Sequence, residues 1–200
     1  RGASAFGVLS RFGSGGIRRM KIALVGYGKM GRMIDGLAAG YGIEVAARLD
    51  EHNNSNGEGI TREGLAGVDV AIEFTTPDTC LRNVERLAAA GINTVVGTTG
   101  WTEHLDSVSA LVQQHGTGLV WSPNFSIGVN VFNRLVAEAA RLLANEREYG
   151  AWPWEIHHDT KKDAPSGTLL NLVSEMQNAG YSRTIDVSSN RAGRHPGTHE

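Results

Sequence analysis

The sequence predicts an α/β protein: a doubly wound parallel sheet followed by a smaller α+β domain. Three observations carry this. Between residues 20 and 122, short apolar runs alternate with stretches of helical periodicity, the pattern of a parallel sheet covered on both faces. Many of the 26 glycines fall at the ends of those runs, where short βα and αβ turns need them. After about Phe125 the rhythm changes to a longer helix and shorter, more polar strands.

In order along the chain, residues 20–26 (MKIALVG) read as a buried strand that stops at glycine. Residues 29–41 follow as a helix with Met30, Met33, Ile34, Leu37 and Ala38 on one face. A second strand, residues 43–50 (IEVAARLD), ends in an acid, and the polar stretch 53–59 is a loop. Residues 68–75 (VDVAIEFT) form the third strand, and residues 79–90 a helix with Leu81, Val84, Leu87 and Ala88 inward. A strand at 93–97, a helix at 103–114 and a strand at 118–122 complete the first domain. Beyond it lie a helix at 129–145, a strand at 152–158 (WPWEIHH), a helix at 169–178, a candidate strand at 184–191 and a turn-rich end with no closing element. The expected domains are therefore 20–126 and 127–200, after an extension, 1–19, without fixed structure. That extension is Arg-rich but lacks the apolar core of a secretory signal, so Met20 is the expected natural start and the cytoplasm the expected location.

Composition excludes several classes of function. A net charge of −2 with interspersed signs leaves no basic field for nucleic acid. No run approaches the ~20 apolar residues of a membrane span. The lone Cys80 permits no internal disulfide and supplies no metal-ligand set, so no metal is expected.

The first motif is Gly26-Tyr27-Gly28-Lys29-Met30-Gly31, a G-x-G-x-x-G that leaves the first strand and opens the first helix. Gly26 permits the tight turn, Gly28 lets a pyrophosphate approach the backbone, and Gly31 allows close packing of helix on sheet. The helix N-terminus offers free N–H groups to phosphate. Asp50, at the end of the second strand, stands where a Rossmann-type doubly wound sheet hydrogen-bonds the adenosine ribose. NADH or NADPH is the expected cofactor. Because Glu51 adds a second negative charge, NADH is favoured, with Arg48 on the same side as Asp50 as the one offsetting group. Three more segments lie at strand ends where the nicotinamide half should sit: Phe74-Thr75, Gly97-Thr98-Thr99-Gly100 and Ser122-Pro123-Asn124-Phe125.

The second motif is the stretch from Glu155 to Thr168, EIHHDTKKDAPSGT. It puts two imidazoles and two ammonium groups just ahead of a helix start. Ser166 is a natural N-cap, so the N–H groups of Gly167 and Thr168 are free to bind an anion such as a carboxylate. Lys161 adds positive charge, and a histidine suits proton delivery near neutral pH.

This stretch closely resembles the E-x-H-H-x-x-x-K-x-D-A-P-S-G-T signature of the dihydrodipicolinate (4-hydroxy-tetrahydrodipicolinate) reductases. The glycine motif, the GTTG loop and the SPNFSIGVN segment match in the same order, so the resemblance spans roughly residues 20–200. It implies NAD(P)H-dependent reduction of 4-hydroxy-tetrahydrodipicolinate to tetrahydrodipicolinate in diaminopimelate and lysine biosynthesis. His157 is implied as proton donor and Lys161 as its assistant. His158, Ser166, Gly167 and Thr168 are implied at the substrate carboxylates. Cofactor contacts are implied at Gly26, Lys29, Met30, Gly31, Asp50, Gly97, Thr99 and the stretch from Ser122 to Phe125, to which the glycine spacing and the strand ends add Gly28, Phe74 and Thr98. A homotetramer of the complete protein is implied too. Members of the family run on well past the point matching Gly197 and His199, so the chain is expected to be C-terminally incomplete. Two alternatives remain open on the residues alone: another two-domain amino-acid dehydrogenase, and a non-catalytic nucleotide-binding protein.

Overall fold

The computed structural model describes residues 18–200, so the expectation for the extension up to residue 17 lies outside the described residues. The chain divides after Trp121 into two compact units. The first holds five strands, β1 (Lys21–Val25), β2 (Glu44–Leu49), β3 (Val70–Glu73), β4 (Asn93–Val96) and β5 (Leu119–Trp121). All pair in parallel, in the order β2-β1-β3-β4-β5. Connections run outward from β1 in both directions, so the sheet reverses its winding between β1 and β3. A crevice at the carboxyl ends of those two strands is where such sheets bind ligands. Ile22, Ala23, Leu24 and Val25 are all buried, which explains why β1 reads as an unbroken apolar run and not as an alternating one.

Three helices connect the strands: α1 (Lys29–Ala38), α2 (Pro77–Ala89) and α3 (Leu105–Gln114). α2 starts with Pro77 in its first turn under a Thr76/Thr79 capping box. It buries Val84, Leu87 and Ala88, with Leu81 partly covered. In α1 the expected apolar stripe is only partly used. Gly31 and Ala38 are buried, while Met30, Met33 and Leu37 are 41%, 51% and 56% exposed. The helix meets the sheet through its small residues, which leaves its large ones outside. It also stops at Ala38, and a single 3₁₀ turn then leads to Gly42 at φ +71°, a left-handed stop that ends helical structure.

The second unit contains α4 (Ile127–Leu142), β6 (Trp154–His157), α5 (Gly167–Asn178), β7 (Ser188–Arg191) and β8 (Thr198–His199). Its sheet runs β7-β6-β8, with β6 parallel to β7 and antiparallel to β8. Two expectations need correction. The end of the chain is not without an element, since β8 pairs with β6; two residues are too few for alternation to show. Both helices also begin two residues early, because Ser126 and Ser166 cap them with hydroxyls that accept N–H groups from Val129 and Leu169. A small core of Ala140, Met176 and Tyr181 ties α4 to α5. Arg183 closes the C-terminal end of α4 by donating to the carbonyls of Leu143, Ala144 and Tyr149. No helix of the described residues is long and apolar enough to cross a membrane.

Candidate active site

In the first unit the glycine motif has the geometry its spacing demands. Gly26 adopts φ +97°, and a Cβ there would lie 2.0 Å from the Phe74 carbonyl oxygen. Only a glycine lets the end of β1 pass so close to the end of β3. Gly31 is equally constrained, since a Cβ would meet the Gly26 carbonyl oxygen at 2.2 Å. Gly28 differs: a Cβ would meet nothing within 4 Å. It is the N-cap of α1, and no side chain caps the helix. The first-turn N–H groups, which include those of Lys29 and Met30, therefore have no side-chain acceptor from the protein.

At the neighbouring strand ends, Gly97 lies against the Phe74 ring, where a Cβ would fall 2.0 Å from Cε1. Thr98 is buried, accepts the Thr75 N–H at 2.8 Å on its hydroxyl and the Trp101 indole N–H at 2.9 Å on its carbonyl. Its side chain therefore shapes the ledge, and Thr99 beside it is exposed. Below the ledge Glu73 is fully buried, held by Thr75 and Asn83. Asp50 stands at the end of β2, with His52 N–H on its carboxylate at 2.9 Å. Arg48 is turned to α1 instead, in a two-pronged pair with Asp35 at 2.7 Å for both bonds, and Tyr27 donates to the same carboxylate at 2.5 Å. Hydrogen bonds from Arg48 and then Tyr27 hold the Asp35 carboxyl down to about 2.

Ser122, Pro123, Asn124 and Phe125 belong to the second unit. The loop is fixed from within: the Ser122 hydroxyl donates to the Asn124 carbonyl at 2.7 Å and the Asn130 amide donates to it at 2.9 Å. Beside it, a cavity of about 490 Å³ between α4 and α5 is lined by Asn130, Asn133, Arg134, Thr168 and Asn171, among others.

The stretch from Glu155 onward is built by strand register. Side chains two apart on a strand share a face, so Glu155 and His157 point one way and His158 the other. Pairing sets Ser189 beside Glu155, Arg191 beside His157 and His199 beside Glu155 from the other edge. Five polar side chains thus share one face of a three-stranded sheet. Glu155, fully buried, is their hub. It accepts the Ser166 N–H at 2.8 Å, the Ser166 hydroxyl, the Ser189 hydroxyl at 2.6 Å and the Arg191 guanidinium at 3.3 Å. His199 Nε2 lies 3.2 Å and His157 Nδ1 3.5 Å from the oxygen that takes the Ser166 hydroxyl. Burial by itself would raise the Glu155 carboxyl, but the hydrogen bonds from Ser166, Ser189 and Arg191 outweigh it and bring it to about 2. Burial also lowers His157 and His199, in each case against the pull of Glu155.

Arg191 extends the network into the loop, donating to the carbonyls of Lys161 and Asp163. Lys161 pairs with the Asp163 carboxylate at 2.7 and 2.9 Å, and the His158 ring meets the Thr160 hydroxyl at 2.7 Å. Ser166 is buried with its hydroxyl committed to Glu155 and to the Leu169 N–H, so it offers no side-chain donor to a ligand. Gly167 and Thr168 form the first turn of α5, just after the Ser166 cap. Glu155, His157 and His199 also bring one potential metal-ligand atom each within 4.8 Å of one another. The Arg191 cation on the same carboxylate, and oxygens already hydrogen-bonded, make this a proton-and-charge network and a poor site for a dication.

Sequence reasoning gave no role to Glu155, Ser189, Arg191 or His199. A signal existed in the period-two spacing of Glu155 with His157 and of Ser189 with Arg191, but the pairing partners are far apart in sequence.

One consequence concerns acid stability. A carboxyl depressed from 4.5 to about 2 stabilises the fold above pH 4.5, and that stabilisation is lost as pH falls through about 2. Between pH 5 and pH 3 the wild-type chain should lose about 2 kcal/mol more unfolding free energy than Glu155→Gln. Denaturant titrations at the two pH values measure this. Equal losses in both proteins would mean that Glu155 is not held ionised by its neighbours.

Fold and site together define a two-unit α/β protein: a Rossmann-type nucleotide unit, and an α+β unit with a Glu–His–Arg–His network centred on the buried Glu155, beside the Ser166-capped start of α5. Residues 20–125 match the family model described as dihydrodipicolinate reductase, N-terminus, and residues 128–200 match dihydrodipicolinate reductase, C-terminus. The chain belongs to the dihydrodipicolinate reductase family. It is similar to the 4-hydroxy-tetrahydrodipicolinate reductase of Ralstonia nicotianae, 37% identical over 79% of this chain and 67% of that one. It also resembles the enzyme of that name from Christiangramia forsetii, 31% identical over 78% of this chain and 64% of the relative. The chain spans about two thirds of the length of these relatives. Among solved structures, a dipicolinate-bound dihydrodipicolinate reductase from Paenisporosarcina sp. TG-14 shares the fold, with a TM-score of 0.69 and 23% identity over 91% of this chain and 82% of that one.

Proposed function

We propose that the protein reduces 4-hydroxy-tetrahydrodipicolinate to tetrahydrodipicolinate with NAD(P)H, within diaminopimelate and lysine biosynthesis, in the cytoplasm and as a homotetramer when complete. The observation that carries this reading is the family match through both units with the H-H-x-x-x-K-x-D-A-P-S-G-T string intact. The ligand named for the Paenisporosarcina structure, dipicolinate, is a planar dicarboxylate of the same class as the proposed substrate.

The nucleotide unit fits the cofactor. Open space at Gly28 and an uncapped α1 suit a pyrophosphate, and Asp50 suits the ribose hydroxyls. Bound NAD(P)H supplies a hydride to the substrate ring. In the nucleotide unit Gly97, Thr99 and Phe74 are cofactor contacts, with Thr98 shaping the ledge, and in the second unit the stretch from Ser122 to Phe125 is another. In the second unit the Gly167 and Thr168 N–H groups, the Thr168 hydroxyl and His158 hold the carboxylates. His157 gives up a proton as the ring gains a hydride, and the ring hydroxyl leaves as water. Lys161 must exchange Asp163 for the substrate to assist.

The test is NADH oxidation followed by absorbance, with substrate generated in situ from pyruvate and aspartate semialdehyde. Substrate-dependent oxidation that vanishes in His157→Gln supports the reading. A full-length version that stays silent overturns it.

Within this reading NADH is preferred to NADPH. A 2′-phosphate would meet Asp50 and Glu51, and Arg48 is already committed to Asp35. We expect kcat/KM to favour NADH by roughly tenfold, equivalent to ~1.4 kcal/mol. Asp35→Asn should free Arg48 and narrow the ratio. Equal or better turnover with NADPH in the wild-type chain would reject this preference.

A further inference from the structure

His157 sits with one edge of its ring toward a buried carboxylate and the other over bare backbone. Its Nδ1 is buried, makes no hydrogen bond and faces Glu155 at 3.5 Å. Over the opposite edge lies Gly197, at φ +123°, where a Cβ would fall 2.9 Å from Cδ2 and 3.1 Å from Nε2. The ring of His199 stacks edge-on against it, with centroids 5.0 Å apart and planes at 73°. These groups come from three strands and one helix cap: Glu155 on β6, Arg191 on β7, His199 on β8 and Ser166 before α5.

We propose that Glu155 is the positioning residue of His157: its carboxylate, fixed by Ser166, Ser189, Arg191 and His199, holds the Nδ1 side of the ring so that the proton is exchanged at Nε2, in the gap that Gly197 leaves. This rests on the reductase reading for what the proton is used for, though not for the pairing itself.

A neutral imidazole carries its hydrogen on one nitrogen only. A carboxylate facing Nδ1 stabilises a hydrogen there and leaves Nε2 as the basic atom. When the ring gains a second proton, that proton sits on Nε2, and the cation is drawn to Glu155. Its release to the substrate breaks the Nε2–H bond and returns the ring to the neutral Nδ1–H form, so charge and protons balance without any other group titrating. The Nδ1 to Glu155 distance is loose in the neutral ring and should tighten in the cation. His199 and Ser166 share the same carboxylate oxygen and hold it in place beside His157. Gly197, one residue before β8, and His199 on that strand thus flank the His157 ring.

Histidine-labelled nitrogen NMR of the whole chain tests this without substrate, with the His157 signal assigned by its loss in His157→Gln. Wild-type His157 should be in the Nδ1–H tautomer. In Glu155→Gln the Nε2–H tautomer should grow and the titration midpoint should fall, because Glu155 is the one anion facing a ring otherwise flanked by His199, Lys161 and Arg191. Ser189→Ala, which weakens the fold of the site but keeps the charge, should leave the tautomer as in wild type. In the steady-state assay Glu155→Gln should lose about 100-fold in kcat with KM little changed, and Glu155→Asp should recover part of it. A wild-type His157 carrying its hydrogen on Nε2, or a midpoint unmoved in Glu155→Gln, would overturn the proposal. Loss of the reductase reading would instead show as absent turnover with the tautomer result intact.

Discussion

His157→Gln should lower turnover by about two orders of magnitude or more, the usual scale for a lost general acid, while NADH binding stays at the wild-type level. Glutamine keeps the size of the side chain and loses the ionisable ring. Nothing else on that sheet face can replace it: Arg191 is paired with Glu155 at 3.3 Å, and His199 is turned toward the same carboxylate at 3.2 Å. Lys161→Ala should fall by a similar factor, but with a difference in form. The Lys161 ammonium rests on Asp163 in the free protein, so the assistance proposed for it requires leaving that partner. Its removal should affect KM as well as kcat. Absorbance traces at saturating and limiting substrate separate the two effects, and near-wild-type rates in both variants would reject His157 as proton donor.

Gly28→Ala and Gly26→Ala should fail in opposite ways. A methyl group at Gly28 meets no protein atom within 4 Å, so stability should change by no more than about 0.5 kcal/mol. NADH affinity should nevertheless drop about tenfold or more, because the methyl occupies the approach of the pyrophosphate to the backbone. At Gly26 the new Cβ would sit 2.0 Å from the Phe74 carbonyl oxygen on a residue at φ +97°. That variant should lose several kcal/mol of fold stability, about 2–4 kcal/mol if it folds at all. Denaturant midpoints and NADH fluorescence titrations distinguish them. A Gly28 variant with wild-type affinity would remove the glycine motif from the cofactor site.

How far the sequence reveals this molecule depends on the range of the interactions concerned. The nucleotide unit is legible because its signals are local: an apolar run, a glycine spacing, then a helix period, with Gly31 and Gly26 only five residues apart. The HH-x-x-x-K segment is legible as a string for the same reason. Its supporting shell is not. Glu155 meets Ser189 and Arg191 more than thirty residues later, and His199 further still. No periodicity within β6 announces which strands will flank it. β8, at two residues, falls below the length at which alternation can be seen. The stripe on α1 misleads for another reason: spacing shows which side chains share a face, but not how near that face comes to the sheet. The Gly31 contact sets that distance, and leaves Met30, Met33 and Leu37 outside.

The buried Glu155 has a consequence for assembly of its own sheet. If β7 slid by one residue against β6, Asn190 would replace Ser189 or Arg191 on the covered face, and the guanidinium would turn to the far side. A fully buried carboxylate would then lose its cation and a hydroxyl donor together, a loss of the size that makes a broken internal ion pair costly, about 3–5 kcal/mol. A slip of β8 would in the same way exchange His199 for Thr198 or Glu200, the latter setting one carboxylate against another. Apolar packing alone would penalise such slips weakly on strands as polar as SSNR and TH. The charged hub therefore acts as a checksum on strand alignment: only one pairing of three short strands satisfies it, and that pairing is the one that seats His157.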